Sequence, residues 1–325
     1  MSPSNKGSKA GRIFMTGASG YVGSAITRIA IEQGYTVVGL SRSDASDAKL
    51  GELGAQPVRG DLASLDILSR ESAAADIVIH LADPFIGSGF AMPYDEVVAI
   101  DAAAVEAMAT PLIGTNKPLV ATSGSLMAAP DPHGGETTED SENQPNPLAN
   151  RHLLENNILS WASKGVRVSL IRLAPFVYGR AGSFVAVFMK MHAPNKAMMN
   201  VVPADGKPRY TSTVHIDDAA RLYFLAAEKA KAGEIYNAVS ATDVTIRQIM
   251  EAAGQILSMP VEDVTFDEAS AKIGKFVATF LTLPNRASGG KAVRELGWQP
   301  KEIGVLEEIT NGSYLALAGE ILKTV

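Results

Sequence analysis

The sequence predicts an α/β fold: a doubly wound parallel sheet joined to a smaller, mostly helical C-terminal domain. Three observations predict it. Short apolar runs alternate with helix-period segments through the first half, the pattern of strands buried on both faces. The first run passes directly into a glycine-rich turn and a helix. The alternation breaks after Tyr178, where Met, Pro and Gly become frequent and helical patterns take over.

The elements follow in order. Arg12–Thr16 reads as the first strand, and Tyr21–Gln33 as a helix with Val22, Ile26, Ile29 and Ala30 on one face. Gly34 stops that helix, and Thr36–Leu40 is the second strand. Gln56–Arg59, Ile77–Leu81, Leu119–Thr122 and Val166–Leu170 continue the strands, with helices over 62–71, 94–112 and 151–163 between them. His215–Glu228 and Glu234–Val239 read as a last helix and strand returning to the sheet, and Thr245 with Gln248 as a capping box. This interleaving predicts a dinucleotide domain over 12–177 plus 214–242 and a substrate domain over 178–213 plus 243–325. Pro130–Pro147, rich in proline, glycine and acids, is expected to be a mobile loop.

Composition excludes several classes. With 29 Lys plus Arg against 35 Asp plus Glu, the net charge of −6 argues against a nucleic-acid partner. No apolar run reaches the length of about 20 residues that a membrane span needs. Cysteine is absent, which removes disulfides, thiolate metal sites and a thiol nucleophile. No histidine spacing suggests a metal site. Met1–Gly11 is polar, without the apolar core of a signal peptide, and reads as a flexible leader on a cytoplasmic protein.

Gly17, Ser19, Gly20, Tyr21, Val22 and Gly23 form the turn between the first strand and helix. Glycines there permit a tight turn and a close backbone approach, and the helix N-terminus offers N–H groups to a pyrophosphate. Thr16–Gly23 resembles the TGxxGxxG signature of extended short-chain dehydrogenases/reductases, a Rossmann-type family that includes NAD-dependent epimerases and dehydratases. Gly60-Asp61-Leu62, His80-Leu81-Ala82, Thr122-Ser123-Gly124, Val177-Tyr178-Gly179, Val214–Asp218, Tyr236-Asn237 and Leu296-Gly297-Trp298 resemble its further motifs in the same order. The resemblance implies that Asp61 and Leu62 flank an adenine and that Leu81 and Ala82 line the cofactor cleft.

The second strand ends in Ser41-Arg42. An NAD site usually carries an acid there for the ribose 2′-hydroxyl, whereas an arginine suits a 2′-phosphate. NADP(H) is therefore the expected cofactor, with Asp44 expected in a cap or turn.

The resemblance also implies a serine and a Tyr-x-x-x-Lys pair, and here the sequence departs. One register places Pro147 and Arg151 at the Tyr and Lys positions, and the other places Leu148 and His152 there. Gly124 falls on the serine position, between Ser123 and Ser125. Arg151 can hold ribose hydroxyls, but a guanidinium is no general acid near neutral pH. Candidate catalytic residues are therefore Ser123, Ser125, Arg151, His152 and Tyr178. Asp83 reads as an acid or a cap, His133 as an idle loop residue, His215 as structural, and Asp217-Asp218 as a helix cap. Phe85–Met92, Leu126–Ala129 and Tyr178–Met199, with Phe184, Phe188, Met189, Met191, Met198 and Met199, are expected to wall a pocket for a small apolar metabolite. The expected function is NADPH-dependent reduction of a carbonyl, imine or activated alkene in metabolite biosynthesis, by a monomer or homodimer. The alternatives are a non-redox isomerase, cyclase or lyase, or a cofactor-binding sensor.

Overall fold

The computed structural model describes residues 11–143, 148 and 150–324, so most of the expected leader, together with Pro147, lies outside the described residues. The first half runs β1 (Arg12–Thr16), α1 (Tyr21–Glu32), β2 (Thr36–Ser41), α2 (Asp44–Glu52), β3 (Gln56–Arg59), α3 (Leu65–Ala74), β4 (Ile77–His80), α4 (Pro84–Gly87), α5 (Tyr94–Ala109), β5 (Pro118–Gly124), α6 (His152–Ser160) and β6 (Arg167–Leu173). It continues through β7 (Phe176–Tyr178), α7 (Ser183–His192), β8 (Met198–Val201), β9 (Tyr210–His215), α8 (Ile216–Lys229), β10 (Glu234–Ala238), β11 (Ala241–Thr245) and α9 (Ile246–Leu257). The chain then forms β12 (Val261–Val264), α10 (Phe266–Ile273), α11 (Lys275–Phe280), α12 (Val305–Asn311) and α13 (Tyr314–Leu322).

Seven strands make one sheet in the order β10-β6-β5-β4-β1-β2-β3. β1 pairs in parallel with β2 and β4, β2 with β3, and β4 with β5. The expected doubly wound α/β sheet forms, and β10 returns to it as the sequence suggests. The winding reverses between β1 and β4, whose register sets Thr16 beside His80. In an open parallel sheet the carboxyl ends at such a reversal are where a ligand binds.

The chain divides into two compact units, one of Met1–Thr122, Leu153–Ile171 and Ala220–Ile235, the other of Ser123–His152, Arg172–Ala219 and Tyr236–Val325. In the first, Phe14, Val78, Leu119 and Val168 on strands meet Leu68 and Met108 on helices and Trp161 beyond α6. Full burial of side chains this size contributes about 1.5–3 kcal/mol each, which holds the helices on the sheet. The second unit has its own core, built from α7, α9, α12 and α13 around Phe188, Met189, Met198, Ile249, Ile309 and Tyr314.

The second unit corrects several expectations. Its helices are accompanied by short strands that the sequence did not announce: β7, β9 and β11 form a three-stranded sheet, and β8 pairs with β12. These strands are short, and a run such as Val261–Val264 with two central acids lacks the apolar pattern that betrays a buried strand. Phe188, Met189, Met198 and Met199 are buried in the core, and Phe184 packs against it, so helix packing occupies the residues expected to wall a pocket. The capping box at Thr245 and Gln248 forms as expected, and a second at Thr265 and Glu268 was not anticipated.

Residues 130–143 are irregular but tied down. Ala129 N–H donates to the Glu142 carbonyl, Thr137 N–H to the Arg286 carbonyl, and Ser288 N–H to the Thr137 carbonyl. Thr242 Oγ1 donates to Glu136 Oε1 at 2.6 Å, and Asn237 N–H to Glu139 Oε1 at 2.7 Å. These bonds strap residues 130–143, the described part of the loop expected over 130–147, to the segments 237–242 and 286–288. Burial pushes the Glu139 carboxyl above its usual range, against the pull of the Asn237 hydrogen bond. The unfolded chain therefore loses this proton first as pH rises, and stability falls with increasing pH from about pH 4.5 until the folded-state carboxyl also ionises. Glu139→Gln keeps an acceptor for Asn237 and removes the titration. Its Tm is expected to gain on wild type as pH rises through that window, and a wild-type advantage that grows with pH would contradict this reading.

Candidate functional site

The carboxyl ends of β1, β2 and β4 gather the cofactor candidates in the first unit. Gly17 has φ +71, and a Cβ on it would stand 2.9 Å from the Ala82 nitrogen. Gly20 N–H donates to the Gly17 carbonyl at 2.9 Å and closes the turn. At Gly23 a Cβ would meet that same carbonyl oxygen at 2.1 Å, so only glycine lets α1 start this close to β1. Gly20 is the N-cap of α1 and supplies no capping side chain. The first-turn N–H groups thus face a space without a competing side-chain acceptor, which fits a pyrophosphate. Tyr21, Val22 and Ser19 are half-buried around the turn.

Beneath the turn lies a buried network. Thr16 Oγ1 accepts from the Leu81 and Ala82 amides at 3.2 Å each and pairs with His80 Nδ1 at 2.7 Å. His80 Nε2 is 3.0 Å from Asp101 Oδ1. With both lone pairs of Thr16 used, its proton goes to Nδ1, leaving Nε2–H to donate to Asp101. The network clamps the ends of β1 and β4, where the turn begins and the cleft-lining residues follow. Sequence reading missed Asp101. Its signal was a carboxylate among Val97, Ala104, Val105 and Met108 on the buried face of α5.

At the end of β2, Ser41 is buried and its Oγ donates to the Ser43 carbonyl at 3.2 Å. Ser43 caps α2 by accepting from Ser46 N–H. Asp44 lies in the first turn of α2 and pairs with Arg59 at 2.6 Å, and Asp47 pairs with the same guanidinium. Arg42 is exposed and has no hydrogen-bond or ion-pair partner among the described residues. Asp61 binds its own loop, accepting from Ala63 N–H at 2.9 Å and Ser64 Oγ at 3.0 Å, with Leu62 half-buried beside it. Asp83 proves to be a cap, accepting from Phe85 N–H at 2.8 Å at the start of α4.

The five catalytic candidates fall in the second unit. Ser125 Oγ donates to Asn285 Oδ1 at 3.0 Å, and Asn285 Nδ2 returns a bond to the Ser125 carbonyl at 2.9 Å. That hydroxyl is committed to structure. Ser123 is buried, and its Oγ has no hydrogen-bond partner among the described residues. Tyr178 is buried with its hydroxyl donating to the Ile303 carbonyl at 2.8 Å, and burial pushes the phenol well above its usual range. It packs edge-on against His215, which accepts from Asp217 N–H at 3.2 Å. Arg151 is half-buried just before α6, and His152 is its half-buried first residue. Leu148, the tyrosine position of one register, packs against the second unit's core. At Gly124 the backbone is extended, and a Cβ would have nothing closer than the Leu173 carbonyl at 4.0 Å. Space does not forbid a serine there.

The acids Asp217 and Asp218 do not cap α8. They lie inside its first turn, where Asp217 pairs with Arg180 at 2.8 Å. Asp218 accepts from the Lys301 and Glu302 amides at 2.9 and 3.0 Å, pinning the segment after Trp298. His133 is exposed on its loop.

The sequence model of the NAD dependent epimerase/dehydratase family matches residues 13–238. The chain belongs to that family. Membership bears out the resemblance to extended short-chain dehydrogenases/reductases and implies a nicotinamide dinucleotide cofactor, which the glycine cradle fits. Among relatives in this family's company, an uncharacterised protein of Schizosaccharomyces pombe is 38% identical over 303 residues, covering 93% of this chain and 99% of its own. A 4-hydroxy-2-methyl-3-oxo-4-farnesyl-3,4-dihydroquinoline-1-oxide ketoreductase of Stigmatella aurantiaca is 24% identical over 271 residues, covering 80% of this chain and 78% of its own. The dTDP-glucose 4,6-dehydratase of Bacillus anthracis, solved in complex with NAD, superposes with TM-score 0.75 at 15% identity, covering 97% and 99% of the two chains. That last likeness shares the family's fold. Among the described residues, no helix is long and apolar enough to cross a membrane.

Proposed function

We propose that this family member is an NADP(H)-dependent reductase acting on a carbonyl, imine or activated alkene of a small apolar metabolite, as a monomer or homodimer. The observation that carries the proposal is the state of the charges after β2: Arg42 is unpaired among the described residues, while Asp44 and Asp47 are both engaged by Arg59. A free guanidinium there suits a 2′-phosphate, and the nearby acids Asp44 and Asp47 face Arg59 instead. The similarity to a ketoreductase supports reduction as the chemistry. NADPH, when bound, supplies a hydride. The glycine cradle and α1 hold the pyrophosphate, Asp61 and Leu62 flank the adenine, and Leu81 and Ala82 line the cleft. By the family resemblance, Arg151 would hold ribose hydroxyls. Ser123, whose buried hydroxyl has no hydrogen-bond partner among the described residues, is the candidate donor to a substrate oxygen, because Ser125 and Tyr178 have given theirs to Asn285 and Ile303. His152 remains the candidate for proton delivery.

Arg42→Ala is expected to weaken NADP binding by about 10- to 150-fold, the loss of one charge-assisted contact worth about 1.5–3 kcal/mol, with little change for NAD. Calorimetric titration of both dinucleotides checks this, and equal wild-type affinity for the two would refute it. Reduction itself is tested by following NADPH absorbance with a panel of carbonyl, imine and alkene substrates.

A second reading, a redox-neutral isomerase, cyclase or lyase, is favoured by the absence of a tyrosine at either possible acid position, Pro147 or Leu148. Product formed without net NADPH consumption would select it.

A further inference from the structure

We infer that Gly87 is a specificity-determining residue, whose missing side chain provides the platform on which Arg42 is held toward a 2′-phosphate. The inference rests on the reading of Arg42 as the NADP-selecting cation and adds the element that positions it. A Cβ on Gly87 would stand 3.2 Å from Arg42 Nη1, 3.7 Å from Nη2 and 3.8 Å from Cζ. The guanidinium therefore lies against the last turn of α4 through several of its atoms. Gly87 is not required by its own backbone, since its φ is not among the positive ones, unlike that of Gly89 at +67. What glycine supplies at this position is room for the guanidinium.

The platform is fixed to the frame that carries the cofactor residues. α4 follows β4 directly after Leu81 and Ala82, starts with Pro84, and is capped by Asp83. Phe85 anchors it through edge-on contacts with Phe90 and Tyr94, ring centroids 5.4 and 5.7 Å away. A long cationic side chain loses much rotamer freedom when it grips a ligand, so a surface that already limits its range reduces that loss. A branched side chain at position 87 displaces the guanidinium and returns that freedom.

The test is calorimetric titration of NADP⁺ and NAD⁺ into wild type, Gly87→Val, Arg42→Ala and the double variant. Gly87→Val is expected to weaken NADP⁺ binding about tenfold and NAD⁺ binding less than twofold, the retained NAD⁺ affinity reporting an intact fold. In the Arg42→Ala background, Gly87→Val should change NADP⁺ affinity less than twofold. An equal loss for both dinucleotides, the same loss without Arg42, or no loss at all overturns the role of Gly87. If Arg42→Ala leaves NADP⁺ affinity unchanged, the reading of Arg42 fails first, and the inference with it. Gly87→Ala provides a graded check: its single methyl would stand 3.2 Å from Arg42 Nη1, so the guanidinium must give only slightly and the selective loss should be smaller than with valine.

Discussion

Gly23→Ala is expected to abolish dinucleotide binding and to destabilise the protein by about 3 kcal/mol. The added methyl would lie 2.1 Å from the Gly17 carbonyl oxygen and 2.8 Å from Ala18 Cα, all backbone atoms that no rotamer change can move aside. Relief requires α1 to retreat from β1, which opens the turn and carries the first-turn N–H groups away from the anion they serve. Gly51→Ala is the matched control: it lies in α2 with nothing within 4 Å of the new methyl. There the only change is helix propensity and chain entropy, a gain of about 0.5–1 kcal/mol. Scanning calorimetry and NADPH titration on both variants separate the two outcomes. A Gly23→Ala protein that binds with wild-type affinity would show that the turn does not contact the cofactor.

The second large effect is expected at Gly179, where alanine meets two penalties at once. Its φ of +104 lies where side chains are strained, and its Cβ would stand 2.3 Å from His215 Nε2 and 2.6 Å from Cδ2. The imidazole has little room to turn away, being buried, edge-on to Tyr178 and held through Nδ1 by Asp217 N–H. Backbone strain of about 1–3 kcal/mol and overpacking of similar size sum to a loss of about 3–5 kcal/mol. His215→Ala removes the clash but not the strained φ, so the double variant should recover part of the stability lost in Gly179→Ala. Urea unfolding of the two single variants and the double measures that coupling. Strict additivity would mean the glycine is needed for its backbone alone. This pair joins the Val177–Gly179 and Val214–Asp218 segments, each of which holds half of one contact.

The parts of this molecule that were legible from sequence are those whose determinants are neighbours in the chain. The strands of the main sheet announce themselves by local apolar runs, and the glycine turn by local spacing. Asp44's place beyond the strand already suggested a cap or turn, and it lies in the first turn of α2, though its Arg59 partner was not visible. What stayed hidden depends on distant partners. Asn285 meets Ser125 across 160 residues, Glu139 meets Asn237 across 98, and neither pair has a sequence signature. The strap over 130–143 was readable as irregular but not as fixed, because backbone amides and carbonyls tie it down, and these are the same at every position. The methionines of 189–199 misled because a flexible apolar side chain fills a core as readily as it lines a pocket.

The interleaved segments have a consequence during synthesis. The first unit requires Ala220–Ile235, yet the ribosome must first emit 172–219, which belong to the other unit. Even with its glycine turn long since outside the exit tunnel, the nascent chain cannot close its nucleotide-binding half until nearly three quarters of the polypeptide exists. Meanwhile β6, an apolar strand of the central sheet, waits for β10 along one of its edges. An unpaired apolar edge of this kind is where a growing chain is captured by chaperones or by its own copies. Ribosome stalling between residues 175 and 230 should therefore leave a protease-sensitive, chaperone-bound species, and release beyond residue 240 a resistant one.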